Sequence, residues 1–237
     1  MRILLTNDDG IDCEGIAALA RGLAPDHEVW TVAPDSDRSG TANAITLRNP
    51  SKIIQRGERS FSCSGMPVDC VILGVLAVMD AWPELVISGI NRGPNLGTDL
   101  AYSGTAGAAR QAALMGIPAI AVSLAGKKGP FHFGEAGAFV ASRLVELVSL
   151  WKPSVYINLN LPNSKALPAA LNSASLSRRT YKDQISEYSA PDGTRFCFLG
   201  EGLVETHAPE GSDAWFVDRG EVSVSKILVD PVAEARA

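Results

Sequence analysis

Histidine and cysteine are scarce in this chain. Three histidines stand far apart at 27, 132 and 207, and four cysteines at 13, 63, 70 and 197, with no C-x-x-C pair. That spacing disfavours a zinc cage, whose ligands come in close pairs. Scattered thiols without a disulfide framework suit a reducing compartment. Long apolar runs are also missing. The longest, Val71 to Met79, is nine residues, about half of the roughly 18 that cross a membrane. The opening run Ile3–Leu5 stops at Thr6-Asn7-Asp8-Asp9, too early for a secretory leader. A cytoplasmic protein with no membrane partner is therefore expected. Positive charge is short as well: 21 Lys and Arg against 26 Asp and Glu leave a net charge of −5. Proteins that bind nucleic-acid polymers usually carry a basic face. Here Arg178, Arg179 and Lys182 make only a small cluster, and no such partner is expected. An acidic chain that handles phosphate must find positive charge elsewhere, in a metal ion or at a helix N-terminus.

What is present is enough for a core. The 237 residues are 46% hydrophobic and 20% charged, which excludes wholesale disorder and fits one large domain or one domain with an appendage. Residues 2–6 read as a buried strand. Ile16, Leu19, Ala20 and Leu23 then recur at helical spacing. Strands are expected at 27–33, 84–89, 117–124 and 154–161. Mixed short strands fill 44–65. Helices are expected from Pro67, over 105–116 and over 136–151, with a long Gly-rich loop at 90–104. Strand and helix alternate to about residue 160, and the strands are continuous apolar runs. That pattern predicts an α/β fold with a mostly parallel sheet covered on both faces. After residue 165 the texture changes. Residues 195–200, 214–220 and 221–229 look like strands separated by Gly, Pro and Asp. The expected organisation is a core over 1–165 and, over 166–237, a C-terminal arm with closing strands in oligomer contacts.

In an open parallel sheet, ligands bind beyond the carboxyl ends of the strands. Here those ends are Asp8-Asp9, Pro34-Asp35, Gly89-Ile90-Asn91 and Ser123. Adjacent side chains on a strand point to opposite faces, so Asp8 and Asp9 can share a site only where the strand has ended. Two close carboxylates repel and call for a proton or a cation, and hard oxygens suit magnesium or manganese. A solvated turn with Asp12 capping the next helix accounts for the same residues. In Gly89–Thr105, glycines at 89, 93, 97 and 104 let backbone approach a ligand. Asn91, Asn95 and Ser103 offer polar groups, and the helix starting at Thr105 favours an anion. An ordinary flexible loop also fits. In Ser36–Thr46, Ser39 and Asn43 are further candidate ligands and Arg38 can offset phosphate charge, while read alone the segment is better accounted for as a solvated loop. No Walker loop, dinucleotide fingerprint or G-x-S-x-G elbow occurs.

Taken together, NDDG after the first strand, APDSDRSGTANAIT, SGINRGPNLGTDLAYSGTAGAA and GIPAIAVS resemble the SurE family of stationary-phase survival proteins. The resemblance is close through about residue 125. It weakens in the tail, where GEVSVSKI at 220–227 is similar to the family's closing motif. It implies a Rossmann-like three-layer fold with a C-terminal β-hairpin arm exchanged between subunits, as a homodimer or homotetramer. It further implies a divalent-metal-dependent nucleotidase acting on nucleoside 5′- and 3′-monophosphates, with one Mg²⁺ or Mn²⁺ per subunit. Carried across, the metal ligands are Asp8, Asp9, Ser39 and Asn91. The phosphate-binding groups are Asn95 and Ser103-Gly104-Thr105, with Asn43 nearby. Asp8 is expected to orient or deprotonate the attacking water. An aspartyl-phosphate on Asp8, a short-chain exopolyphosphatase and a non-catalytic nucleotide-binding module are the alternatives. The chain departs from the family pattern at Cys13-Glu14, Met66, Gln111-Ala112 and Ser225-Lys226, none of which removes a metal ligand.

Overall fold

A computed structural model describes residues 1–126 and 129–230. The first strand, β1 (Arg2–Thr6), shows why the fold is layered. Its side chains alternate: Ile3 and Leu5 enter one apolar cluster, and Leu4 enters another on the opposite face. The first cluster is covered by α1 (Glu14–Leu23), α4 (Phe133–Ser142) and α5 (Leu144–Ser149). The second is covered by α2 (Pro67–Leu73) and α3 (Gly104–Leu114). Both faces are thus dry, which explains the uninterrupted apolar strands.

The remaining strands of the main sheet are β2 (Glu28–Pro34), β3 (Ile53–Gly57), β4 (Ser60–Cys63), β5 (Leu85–Arg92), β6 (Ala119–Ala125), β7 (Val155–Pro162), β8 (Leu171–Ser173) and β11 (Val222–Leu228). The spatial order is β3-β4-β2-β1-β5-β6-β7-β11-β8. From β4 to β7 all neighbours are parallel. β3 is antiparallel to β4, and β11 is antiparallel to β7. Standing apart from this sheet, β9 (Arg178–Ser189) and β10 (Arg195–His207) form a long antiparallel hairpin. The architecture is therefore the expected α/β sheet with a hairpin extension.

Two expected elements differ. Residues 214–220 were expected as a strand from their aromatic and β-branched content, but Asp213–Val217 forms a short helix, α6. Tertiary demand overrides the local preference: Ala214 is buried, and the carboxylate of Asp213 accepts the distant Gly97 and Ser177 N–H groups. The helix expected over 136–151 starts earlier, at Phe133, and breaks at Arg143, where φ −108° and ψ 8° leave the helical basin. The interruption still leaves Phe133, Ala136, Val140, Leu144 and Leu147 all buried.

Candidate functional site

The site forms where β1 and β5 end side by side. Asn7 closes a turn after β1, donating from Nδ2 to the Gly10 carbonyl at 2.8 Å and accepting the Gly10 N–H at 3.2 Å. This turn releases Asp8 and Asp9 from strand alternation. Asp8 is 4% exposed. Its Oδ2 accepts the Thr105 N–H at 3.0 Å, and its Oδ1 accepts the Thr105 hydroxyl at 2.5 Å. The start of α3 is thereby fastened to β1. Gly104 makes the approach possible: a Cβ there would lie 2.9 Å from the Asp8 Cβ. The Asp8 carbonyl also accepts the Arg38 N–H at 2.7 Å, drawing in the loop that carries Ser39.

Asp8, Ser39, Asn91, Asn95 and Ser103 line one cavity of about 680 Å³, a size typical of small-ligand sites. Ser39 donates its N–H and hydroxyl to Asp37 Oδ1, at 2.8 and 2.6 Å. Asn91 donates from Nδ2 to the Gly93 carbonyl at 2.9 Å. Ser103 caps α3, accepting the Ala106 N–H at 3.1 Å. Asn95 is held from below. Its Nδ2 donates to Ser123 Oγ at 2.8 Å and its N–H to Asn160 Oδ1 at 2.9 Å, while Asn158 and Asn160 both donate to its carbonyl at 3.0 Å. Asn158 and Asn160 lie two apart on β7 and so share a face.

The other expected residues do not line this cavity. Asp9 accepts the Arg92 N–H at 3.2 Å and lines an adjoining cavity with Asp37, while Arg92 borders both cavities. Thr105 is fully buried, and its N–H and hydroxyl are taken by Asp8. Gly104 sits behind Asp8. Asn43 is exposed and lies against Gly107, in the second turn of α3, outside the cavity lining.

Negative charge here is poorly compensated. Burial is the main force pushing the Asp8 carboxyl up from its ordinary 3.8, against the two Thr105 bonds, and Asp37 adds to the rise. Burial first, and then the charge of Asp8, pushes Asp9 up to about 6. Arg92, whose guanidinium stands 5.3 Å from the centre of the Phe131 ring, opposes this only in part.

The hairpin contributes a wall that motif reading missed. Arg179, Tyr181, Asp183 and Leu199 line the cavity beside Asp99 and Tyr102. Arg179 and Tyr181 both donate to the Asp99 carboxylate. Burial and that carboxylate hold Tyr181 up at about 12. The one sequence signal was the small basic cluster Arg178, Arg179 and Lys182. Only the hairpin's placement turns one of its members toward the site.

The model of a family described as Survival protein SurE matches residues 3–183. A "5'-nucleotidase SurE" of Citrifermentans bemidjiense is 39% identical over 234 residues, covering 97% of this chain and 94% of the relative. Another, of Anaeromyxobacter dehalogenans, is 42% identical over 216 residues, covering 90% and 84%. The crystal structure of a SurE protein from Aquifex aeolicus superposes with a TM-score of 0.82 at 33% identity, covering 98% of this chain and 95% of that one.

Proposed function

Because the chain belongs to the SurE family, we propose that it is a 5′-nucleotidase, hydrolysing nucleoside monophosphates to nucleoside and phosphate, with 3′-monophosphates as further substrates. The observation that carries this reading is the convergence of Asp8, Ser39, Asn91, Asn95 and Ser103 on one cavity at the carboxyl edge of the sheet.

The donor chemistry fits one divalent cation, Mg²⁺ or Mn²⁺. Asp8 and Asp9 are two hard carboxylates whose raised affinity for protons signals a demand for positive charge. Among the described residues no group of three or more His, Cys, Asp or Glu side chains converges. The neutral oxygens of Ser39 and Asn91 would therefore complete the set, as suits a small cation that retains water. When bound, such an ion polarises a phosphoryl oxygen and lowers the pKa of water. The chain's own part is positioning. Thr105 holds both oxygens of Asp8, so its carboxylate presents a fixed direction for accepting a proton from the attacking water. The Asn95 amide and the Ser103 cap, anchored as described, present dipoles to charge developing on the phosphoryl group.

The charges on the cavity wall favour one phosphoryl group. Arg92 and Arg179 are its cations, and Arg179 is already paired with Asp99. Little positive charge remains for a triphosphate. The hairpin supports assembly with further copies, as dimer or tetramer: Ile185, Tyr188, Phe196, Phe198 and Leu203 are exposed along it. No helix among the described residues is long and apolar enough to cross a membrane, and free thiols at Cys13, Cys63, Cys70 and Cys197 support a reducing, cytoplasmic setting. The test is kcat/KM for AMP, GMP, CMP, UMP, 3′-AMP, ATP and tripolyphosphate at one metal concentration. Monophosphates should lead. ATP or tripolyphosphate ahead of every monophosphate would contradict the charge argument.

A further inference from the structure

We infer that Asp213, far along the chain from every motif of the site, is a positioning residue for the loop that holds the phosphoryl group; the inference rests on the nucleotidase reading above. Asp213 is fully buried. Its Oδ2 accepts the Gly97 N–H at 2.7 Å, and its Oδ1 accepts the Ser177 N–H at 2.9 Å and the Ala214 N–H at 2.8 Å. One carboxylate thus ties three separate segments: the Gly-rich loop, the root of the hairpin and α6. Its own backbone is fixed too, donating to the Ser175 carbonyl at 2.8 Å.

The loop needs this anchor because Gly97 has no side chain with which to hold itself. Its φ is +52°, and a Cβ would fall 2.1 Å from the Ser177 carbonyl oxygen. The segment therefore packs backbone against backbone, and only an acceptor from outside fixes its N–H. From Gly97 the constraint passes along a short chain. Within the turn Gly97–Ala101, the Asp99 carbonyl accepts the N–H groups of Tyr102 and Ser103 at 2.9 and 3.1 Å. Ser103 in turn caps α3, and the next turn holds Asp8 through Thr105. The site loop is thus suspended between Asn158 and Asn160 at Asn95, Asp213 at Gly97, and Asp8 at Thr105. None of the residues that Asp213 hydrogen-bonds lines the acidic cavity, so it acts through Gly97 and not on substrate.

Asp213→Asn is nearly isosteric and exchanges one acceptor oxygen for a donor that faces an N–H. A displacement of about 1 Å in a catalytic loop can cost roughly a hundredfold in rate. The full-length protein, supplied with magnesium, is compared with Asp213→Asn and with Leu147→Ala, a buried control on α5. Three readouts are taken: melting temperature, kcat and KM for AMP, and the dissociation constant for inorganic phosphate. Both variants should melt lower. Only Asp213→Asn should lose at least tenfold in kcat/KM and at least threefold in phosphate affinity. If it melts lower yet keeps wild-type kcat, KM and phosphate affinity, Asp213 is a packing residue and the inference fails while the nucleotidase reading stands. A wild type that neither hydrolyses AMP nor binds phosphate removes both. Should the variant fail to fold, hydrogen exchange of the wild type with and without phosphate decides. Protection spreading from Ser103–Thr105 to Gly97 and Asp213 supports the inference, and protection confined to Ser103–Thr105 overturns it.

Discussion

A single methyl group placed on Gly104 tests how tightly Asp8 is held. An alanine Cβ there would lie 2.9 Å from the Asp8 Cβ, 3.0 Å from Asp8 Oδ2 and 3.1 Å from Pro67 Cγ. None of these is the free end of a flexible side chain. Asp8 is locked to Thr105, and Pro67 is a ring at the start of α2. The start of α3 must therefore move by several tenths of an ångström. Forced overpacking costs about 1–3 kcal/mol. Replacing glycine with alanine in a helix returns up to about 1 kcal/mol. The net loss is about 0–3 kcal/mol, which for a chain of this size lowers the melting temperature by up to about 12 °C. Turnover should suffer far more. The displaced backbone carries the Thr105 N–H and hydroxyl that aim Asp8, and misplacement on this scale costs tens-fold to about a hundredfold. We expect kcat/KM for AMP to fall at least about thirtyfold in a protein that still melts cooperatively. Steady-state phosphate release and a thermal melt on the same preparation read both quantities. A Gly104→Ala enzyme within threefold of wild type would refute the claim that this contact sets the catalytic geometry.

The acidic pair makes a pH prediction. Asp9 titrates near 6 in the fold against an ordinary 3.8, so its protonated form is favoured in the native state. The stability this contributes is full below about pH 4 and is lost as pH rises through about 6. The gap sets a ceiling of about 3 kcal/mol, and partial exposure of Asp9 reduces it by screening to about 1 kcal/mol. In chelator, Asp9→Asn should therefore melt about 2–4 °C above wild type at pH 8 and no higher at pH 4; an equal or lower melting temperature at pH 8 counts against an uncompensated pair. The hairpin makes an assembly prediction. Full-length protein should be at least a dimer by light scattering at micromolar concentration, and replacing residues 184–200 with a short Gly-Ser turn should leave a monomer. A monomeric full-length protein would contradict it.

The sheet was legible because burial on both faces writes itself into local composition. Ile3–Leu5, Val86–Ile87 and Ile120–Val122 are apolar without alternation, as strands of a parallel sheet buried on both faces require. The acidic pair was legible for a local reason too, since two carboxylates immediately follow a strand. What joins Asp8 to Thr105 was not, because the residues are 97 positions apart and the bond exists only once β1 and α3 have packed. Thr105, expected from its motif to bind phosphate, gives its amide and hydroxyl to Asp8 in the fold. Asp213 was hidden for the same reason: its bond to Gly97 spans 116 positions, and Ala214-Trp215-Phe216-Val217 reads locally as strand. Arg179 and Tyr181 belong to a polar, exposed strand whose approach to the cavity depends on how the hairpin docks on Thr98 and Asp99.

The central claim is that Asp8 and Asp9 hold a divalent cation that supports hydrolysis of nucleoside monophosphates. Protein stripped with excess chelator, and shown by elemental analysis to carry no metal, is assayed for phosphate release from AMP. Magnesium or manganese is then added back. The account predicts background turnover in chelator, recovery with either ion, and no recovery in Asp8→Asn or Asp9→Asn that melt near wild type. Full turnover by metal-free protein in excess chelator would contradict it.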